Sequence, residues 1–152
     1  MDQKQIIELV KKIRAETSLS IMEIKAAVLE AEGDEAKAKK ILKDLGFKKV
    51  EKRAEKETHQ GRVATYTHST GKIGVMLELL CETDFVAKNE DFVAVTKDIC
   101  LQITAMNPET VDELMEMDFI KDPSVKIKDL VSGLVAKFGE NIKIGRMARF
   151  EI

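Results

Sequence analysis

Few side chains in this sequence could do covalent chemistry, and they are scattered. Cys81 with His59 or His68 as base would be a nucleophile, because a thiol must become a thiolate to react. Nothing in the spacing brings either histidine to it, and Cys81 falls on the inward face of a predicted strand. A reduced, buried thiol is the expectation there and at Cys100. Two histidines and two dispersed cysteines lack the short spacings that gather metal ligands. In "STGKIG" the pair Gly71-Lys72 suggests a phosphate loop, but Tyr66 stands where the first glycine is needed and Ile73 where Ser or Thr is needed. That segment reads as a hairpin turn. Glu78, Glu82 and Asp84 lie close in sequence, yet alternation along a strand puts the first two on its solvent face.

Two features are left without a packing role. In "ELLCETDFVAKNEDFVAV", residues 78–95, the triplet Asp-Phe-Val occurs twice. Phe92 of the second copy fits the apolar stripe of a helix, whereas Thr83-Asp84-Phe85-Val86 falls after the strand and before that helix. Phe85 could tuck under the helix start as a staple, or the turn could present a ring and a carboxylate to a partner. The other feature is Ile21-Met22. At about 100° per residue Ile21 lies near the face of Ile24 and Val28, while Met22 is turned roughly 200° from Ile24 and points outward. Methionine on an adaptable binding surface is the functional reading.

The elements that would carry these residues are legible from periodicity. Residues 3–46 read as three short helices. Ser20 and Glu23 are a capping box for the second, which Gly33 closes; Asp34 caps the third, where Ala38, Ile41, Leu42 and Leu45 face inward and Gly46 ends it. Residues 48–60 are polar with mixed signs, a linker or helical extension. Two strands, "GRVATYTHS" and "KIGVMLELLCE", flank the turn at Thr70-Gly71, with Ile73, Val75, Leu77, Leu79 and Cys81 on the core face. A helix over residues 89–106, a short acidic helix near 109–117, an extended "MDFIKDPSV", a helix over 127–138 and a final strand in "NIKIGRMARFEI" complete the chain. The expected fold is α+β: three helices, then a three-stranded antiparallel sheet with helices on one face. Met76 and Leu80, with Met147 of the last strand, leave the other face of the sheet partly apolar and form a candidate interface.

Composition narrows the classes of function. A hydrophobic fraction of 44% with 34% charged residues suffices for a real core, and the formal net charge of -2 gives no footprint for nucleic acid. No apolar run approaches the ~20 residues of a membrane span, and the first residues lack a secretory h-region. No membrane, no direct nucleic-acid partner and no cofactor are expected, and the location expected is cytoplasmic.

Three stretches in order, "LSIMEIKAAVLEAEGD", "CETDFVAKNEDF" and "GENIKIGRMARFEI", make the chain resemble the elongation factor Ts family over essentially its whole length. The resemblance implies a ubiquitin-associated-type (UBA-like) three-helix domain at 1–47, a linker or extension at 48–60, and an α+β dimerisation and exchange core at 61–152. It implies a guanine-nucleotide exchange factor, without covalent chemistry, acting on elongation factor Tu. It also implies roles: Asp84 and Phe85, framed by Thr83 and Val86, insert beside the GTPase's nucleotide-bound magnesium, and Ile21 and Met22 touch a helix of the GTPase. Longer family members have two core subdomains and a coiled-coil insertion. This chain holds one core unit, with a shorter stretch near 109–117, so a symmetric homodimer is implied. The competing reading is a noncatalytic UBA-type interaction module, which gives the Asp-Phe turn no task.

Overall fold

The computed structural model describes residues 3–152, so Met1 and Asp2 of the expected first domain lie outside the described residues. Three helices come first: α1 (Gln3–Thr17), α2 (Ile21–Glu30) and α3 (Glu35–Arg53). Val10 and Ile13 of α1, Ile24, Ala27 and Val28 of α2, and Ala38 and Leu42 of α3 close on one another as a separate apolar cluster. Each turn between helices has a local cause. Thr17 bonds its hydroxyl back to the Ile13 carbonyl at 2.7 Å, and Ser18 takes a positive φ of 55°. Gly33, at φ 84°, donates its N–H to the Val28 carbonyl, the left-handed closure that glycine adopts without a Cβ clash. The Asp34 carboxylate then accepts the Lys37 N–H at 2.9 Å and starts α3.

Three expectations for this module need correction. Ser20 is the N-cap of α2, but its side chain makes no capping bond, and Glu23 pairs with Lys49 of α3 at 2.6 Å instead. Leu45 is exposed rather than inward. Gly46 does not end α3. A Cβ there would lie 3.6 Å from the Ser132 carbonyl oxygen and 3.7 Å from the Ala136 Cβ, so the glycine marks the close approach of α3 to a helix of the core. Helix α3 therefore runs on to Arg53 and carries Val50 onto the core cluster.

The core is built on β1 (Gln60–Thr67), β2 (Ile73–Cys81) and β5 (Lys143–Glu151), antiparallel in the order β1-β2-β5. Strand β2 alternates as expected, with Val75, Leu77, Leu79 and Cys81 buried. These pack against α5 (Glu90–Met106), through Phe92, Ile99 and Ile103, and α7 (Ile127–Phe138), through Val131, Leu134 and Val135. Between those helices come α6 (Val111–Glu116) and a two-stranded hairpin, β3 (Asp118–Phe119) with β4 (Asp122–Lys126), where the sequence suggested only extended chain. Buried Gln102 ties this hairpin down: its amide donates to the Asp118 carbonyl at 3.0 Å and its side-chain oxygen accepts the Ile120 N–H at 2.9 Å. The fold is α+β, with the helices on one face of the main sheet.

Strand β5 changes register between its pairings Leu77↔Met147 and Leu79↔Ile144, so Gly145 and Arg146 stand opposite Glu78 alone. The bulge exchanges the faces of the residues beyond it. Met147 consequently lies with Leu77 against the core, contrary to its expected place in the outer-face interface. Exposed Val63, Met76 and Phe150 form that outer face, with Leu80 half-buried among them.

Candidate functional site

The strand that carries Cys81 stops there; Glu82 and Thr83 follow, Thr83 with extended backbone (φ -124°, ψ 155°), and then a five-residue helix, α4 (Asp84–Lys88). The sequence had suggested a loop here. Within this single helical turn Val86 and Ala87 are buried in the core, whereas Asp84 is only partly covered and Phe85 is 84% exposed. The ring is not a staple under α5. Leaving it in water forgoes about 2 kcal/mol of burial, while the two buried neighbours hold the backbone beneath it in place.

Asp84 is a carboxylate under light restraint. Its Oδ2 lies 2.7 Å from the Lys88 ammonium, one turn on, and that cation holds the carboxyl below its usual range. Both side chains are largely in solvent, so the pair can be exchanged for another partner at small cost. The turn is bounded on its far side by Asn89, whose side chain accepts the Asp91 N–H at 2.9 Å and caps α5.

On the near side, the Glu140 carboxylate accepts the backbone N–H groups of Glu82 and Thr83, each at 3.1 Å, and the Thr83 hydroxyl at 2.6 Å. Thr83 therefore caps nothing with its own side chain. Glu82 answers by accepting the Asn141 N–H at 2.6 Å. Neither Glu140 nor Asn141 was found by sequence reasoning, and no local spacing points to them.

Ile21 and Met22 open α2, on the helical module. Met22 is 76% exposed, in keeping with its expected outward direction, but Ile21 is half exposed rather than part of the Ile24 face.

The remaining reactive groups are committed elsewhere. Glu78 takes the Arg146 N–H and guanidinium, which pulls its carboxyl down to about 2. His59 faces Glu57, and His68 organises the β1–β2 turn with Thr70. Cys81 is buried, with its thiol 3.1 Å from the Thr83 carbonyl oxygen; burial first, then the charge of Glu140, pushes it up to about 11. Burial alone does the same to Cys100. Among the described residues no cluster of three or more His, Cys, Asp and Glu could hold a metal ion.

A pH dependence follows. Both thiols deprotonate more readily in the unfolded chain, near 9, than in the folded one, near 11. Their contribution to stability is therefore complete below pH 9 and declines as pH rises from there to 11. At pH 8 iodoacetamide should leave both unmodified in the folded protein and label both in urea, as read by intact-mass spectrometry. Rapid labelling of Cys81 without denaturant would contradict this burial.

Fold and site together define a small α+β protein with a helical N-terminal module, whose distinctive surface feature is an outward-facing acid and ring on α4. A family model described as "Elongation factor TS" matches residues 82–152. Proteins named "Elongation factor Ts" from Oleidesulfovibrio alaskensis and Thermodesulfovibrio yellowstonii are each 36% identical over 189 aligned residues, covering 95% of this chain and 96% and 94% of theirs. One from Leptospira biflexa is 37% identical over 190 residues, covering 95% of this chain and 96% of its own. The chain belongs to the elongation factor Ts family. The alignments are longer than the 152 residues present here, so these relatives carry residues with no counterpart in this chain.

Proposed function

We propose that this chain is a guanine-nucleotide exchange factor that binds the GDP form of elongation factor Tu and promotes GDP release without covalent chemistry. The observation that carries the reading is Phe85, an exposed ring on a helical turn whose neighbours Val86 and Ala87 are anchored in the core. A rigidly mounted apolar group beside a loosely held carboxylate suits entry into a pocket on another protein.

The mechanism is one of linkage. Bound nucleotide and magnesium support each other in the GTPase, so a factor that binds the empty state more tightly must weaken nucleotide binding by the same coupling free energy. Phe85 supplies burial in the partner, Asp84 disturbs the groups that position the ion, and Thr83 and Val86 frame the turn. The test is a titration of elongation factor Tu loaded with fluorescent GDP: release should accelerate and saturate with added chain. A release rate independent of added chain would remove the reading.

The division into a UBA-like domain at 1–47, a linker or helical extension at 48–60 and an exchange core at 61–152 belongs to the same proposal. In it Ile21 and Met22 hold the helical module against the GTPase and add affinity rather than rate. Met22→Ala should raise the half-saturating concentration about 5-fold, for roughly 1 kcal/mol of lost side-chain burial, with the maximal rate unchanged. An unaltered half-saturating concentration would make this methionine a bystander.

The partner in solution is also a second copy of the chain. Val63, Met76 and Phe150 are exposed on the outer sheet face, with Glu78 and Arg146 beside them. A surface that carries apolar groups and both signs of charge can meet its own image across a two-fold axis. The double substitution M76D and F150D should convert a dimer into a monomer in sedimentation, and wild-type protein that sediments as a monomer would exclude this assembly. The proposed location is the cytoplasm, and among the described residues no helix is long and apolar enough to cross a membrane.

A further inference from the structure

The corner between α7 and β5 approaches the Asp-Phe turn from far along the chain. The Cα pairing of β1 with β2 runs as far as Cys81 and that of β5 with β2 as far as Leu80, so Glu82 and Thr83 lie beyond the sheet's ladder. Their N–H groups go instead to Oε2 of Glu140, and the Thr83 hydroxyl goes to its Oε1. One carboxylate thus sets both the backbone and the side chain of the residue immediately before Asp84 and Phe85. The next residue, Asn141, is buried and fixes the corner in turn. Its N–H donates to Glu82, and its side-chain amide donates to the Lys56 carbonyl at 2.7 Å and the Ala54 carbonyl at 3.4 Å, just past the end of α3. Arg53, the last residue of α3, lies 3.8 Å from the same Glu82 carboxylate.

We propose that Glu140 is a positioning residue for exchange: it fixes the direction in which Asp84 and Phe85 leave the core, and the Glu82–Asn141 pair fastens that direction to the end of the helical module. The proposal rests on the exchange reading above. Glu140 lies one residue past the αL closure of α7 at Gly139, φ 68°, so its place is set by packing of the whole helix rather than by the turn it holds. Charge-assisted bonds to backbone N–H groups are the stronger kind and orient a segment as well as stabilise it. Without them the turn stays attached through Val86 and Ala87 but is free to swivel about Thr83.

The test is made in the full chain, with fluorescent GDP release from elongation factor Tu followed across a range of factor concentrations and thermal melting measured in parallel. Glu140→Ala should lower the maximal release rate about 10-fold, as misplacement of a working group does, while the half-saturating concentration changes much less. Glu140→Gln, which keeps an acceptor for the backbone N–H groups, should recover most of that rate. Thr83→Val removes only the hydroxyl bond and should cost less than Glu140→Ala; combined with it, no further loss is expected, because the two act through one contact. Should Glu140→Ala fail to fold, Thr83→Val and Glu140→Gln carry the test. Wild-type maximal rates in Glu140→Ala, or in Thr83→Val where that variant must stand alone, overturn the proposal; so do losses that simply add. Such results leave the exchange reading intact, whereas a wild-type chain that does not accelerate release removes both.

Discussion

Phe85→Ala should slow catalysed GDP release from elongation factor Tu by about 30-fold while leaving the melting temperature of the free protein unchanged or slightly raised. The size follows from the ring: burying a phenylalanine is worth about 2 kcal/mol, and each 1.4 kcal/mol is tenfold in rate. The sign on stability follows from exposure. Most core aromatics cost several kcal/mol when truncated, but this ring is 84% exposed and contributes little to its own fold. Loss of exchange without loss of stability separates a docking residue from a core residue, and a strongly destabilised Phe85→Ala would return the ring to the interior. Phe92, fully buried seven residues on in the second Asp-Phe-Val, is the internal control. Its truncation should cost stability first.

Asp84→Ala should lower the maximal release rate about 10-fold. Asp84→Asn should behave similarly, because the charge rather than the shape disturbs an ion site. In the free protein the Lys88 ammonium lowers this carboxyl below its usual range. Since its folded value is depressed by Lys88, the charge is kept to lower pH than an unpaired aspartate would keep it, and loss of exchange through protonation of Asp84 should set in correspondingly lower as pH falls. Removing the carboxylate leaves Lys88 in solvent, with little penalty to the fold. An Asp84→Asn variant that exchanges at the wild-type rate would take the carboxylate out of the mechanism.

The sheet and its covering helices were legible wherever a period could run its course. Strand β2 shows five alternating apolar positions, and α5 and α7 each show three or more turns of apolar stripe. Phe85 stood out because it belonged to neither period. The turn that carries it reads as a loop in the sequence because one helical turn is too short to establish a stripe. Only the Asp84–Lys88 spacing, i and i+4, hinted at a helix there. Gly46 shows the opposite case. Glycine is locally a stop signal, but here it serves the approach of α7, which comes from far along the chain. Strict alternation through Gly145-Arg146 sends Met147 to the outer face, and the bulge there, which adds a residue to β5, returns it to the core. Glu140 and Asn141 reach the turn across 57 to 59 positions of sequence, and no spacing rule links them to it.

The central claim is that Phe85 leaves water for the interior of another protein. A fluorinated phenylalanine placed at position 85 alone, among the six phenylalanines of the chain, reports this through the shift of its ¹⁹F resonance between H₂O and D₂O. The free chain should show nearly the full solvent shift, and addition of nucleotide-free elongation factor Tu should abolish it. A ring that keeps its solvent shift in the saturated complex would contradict the claim.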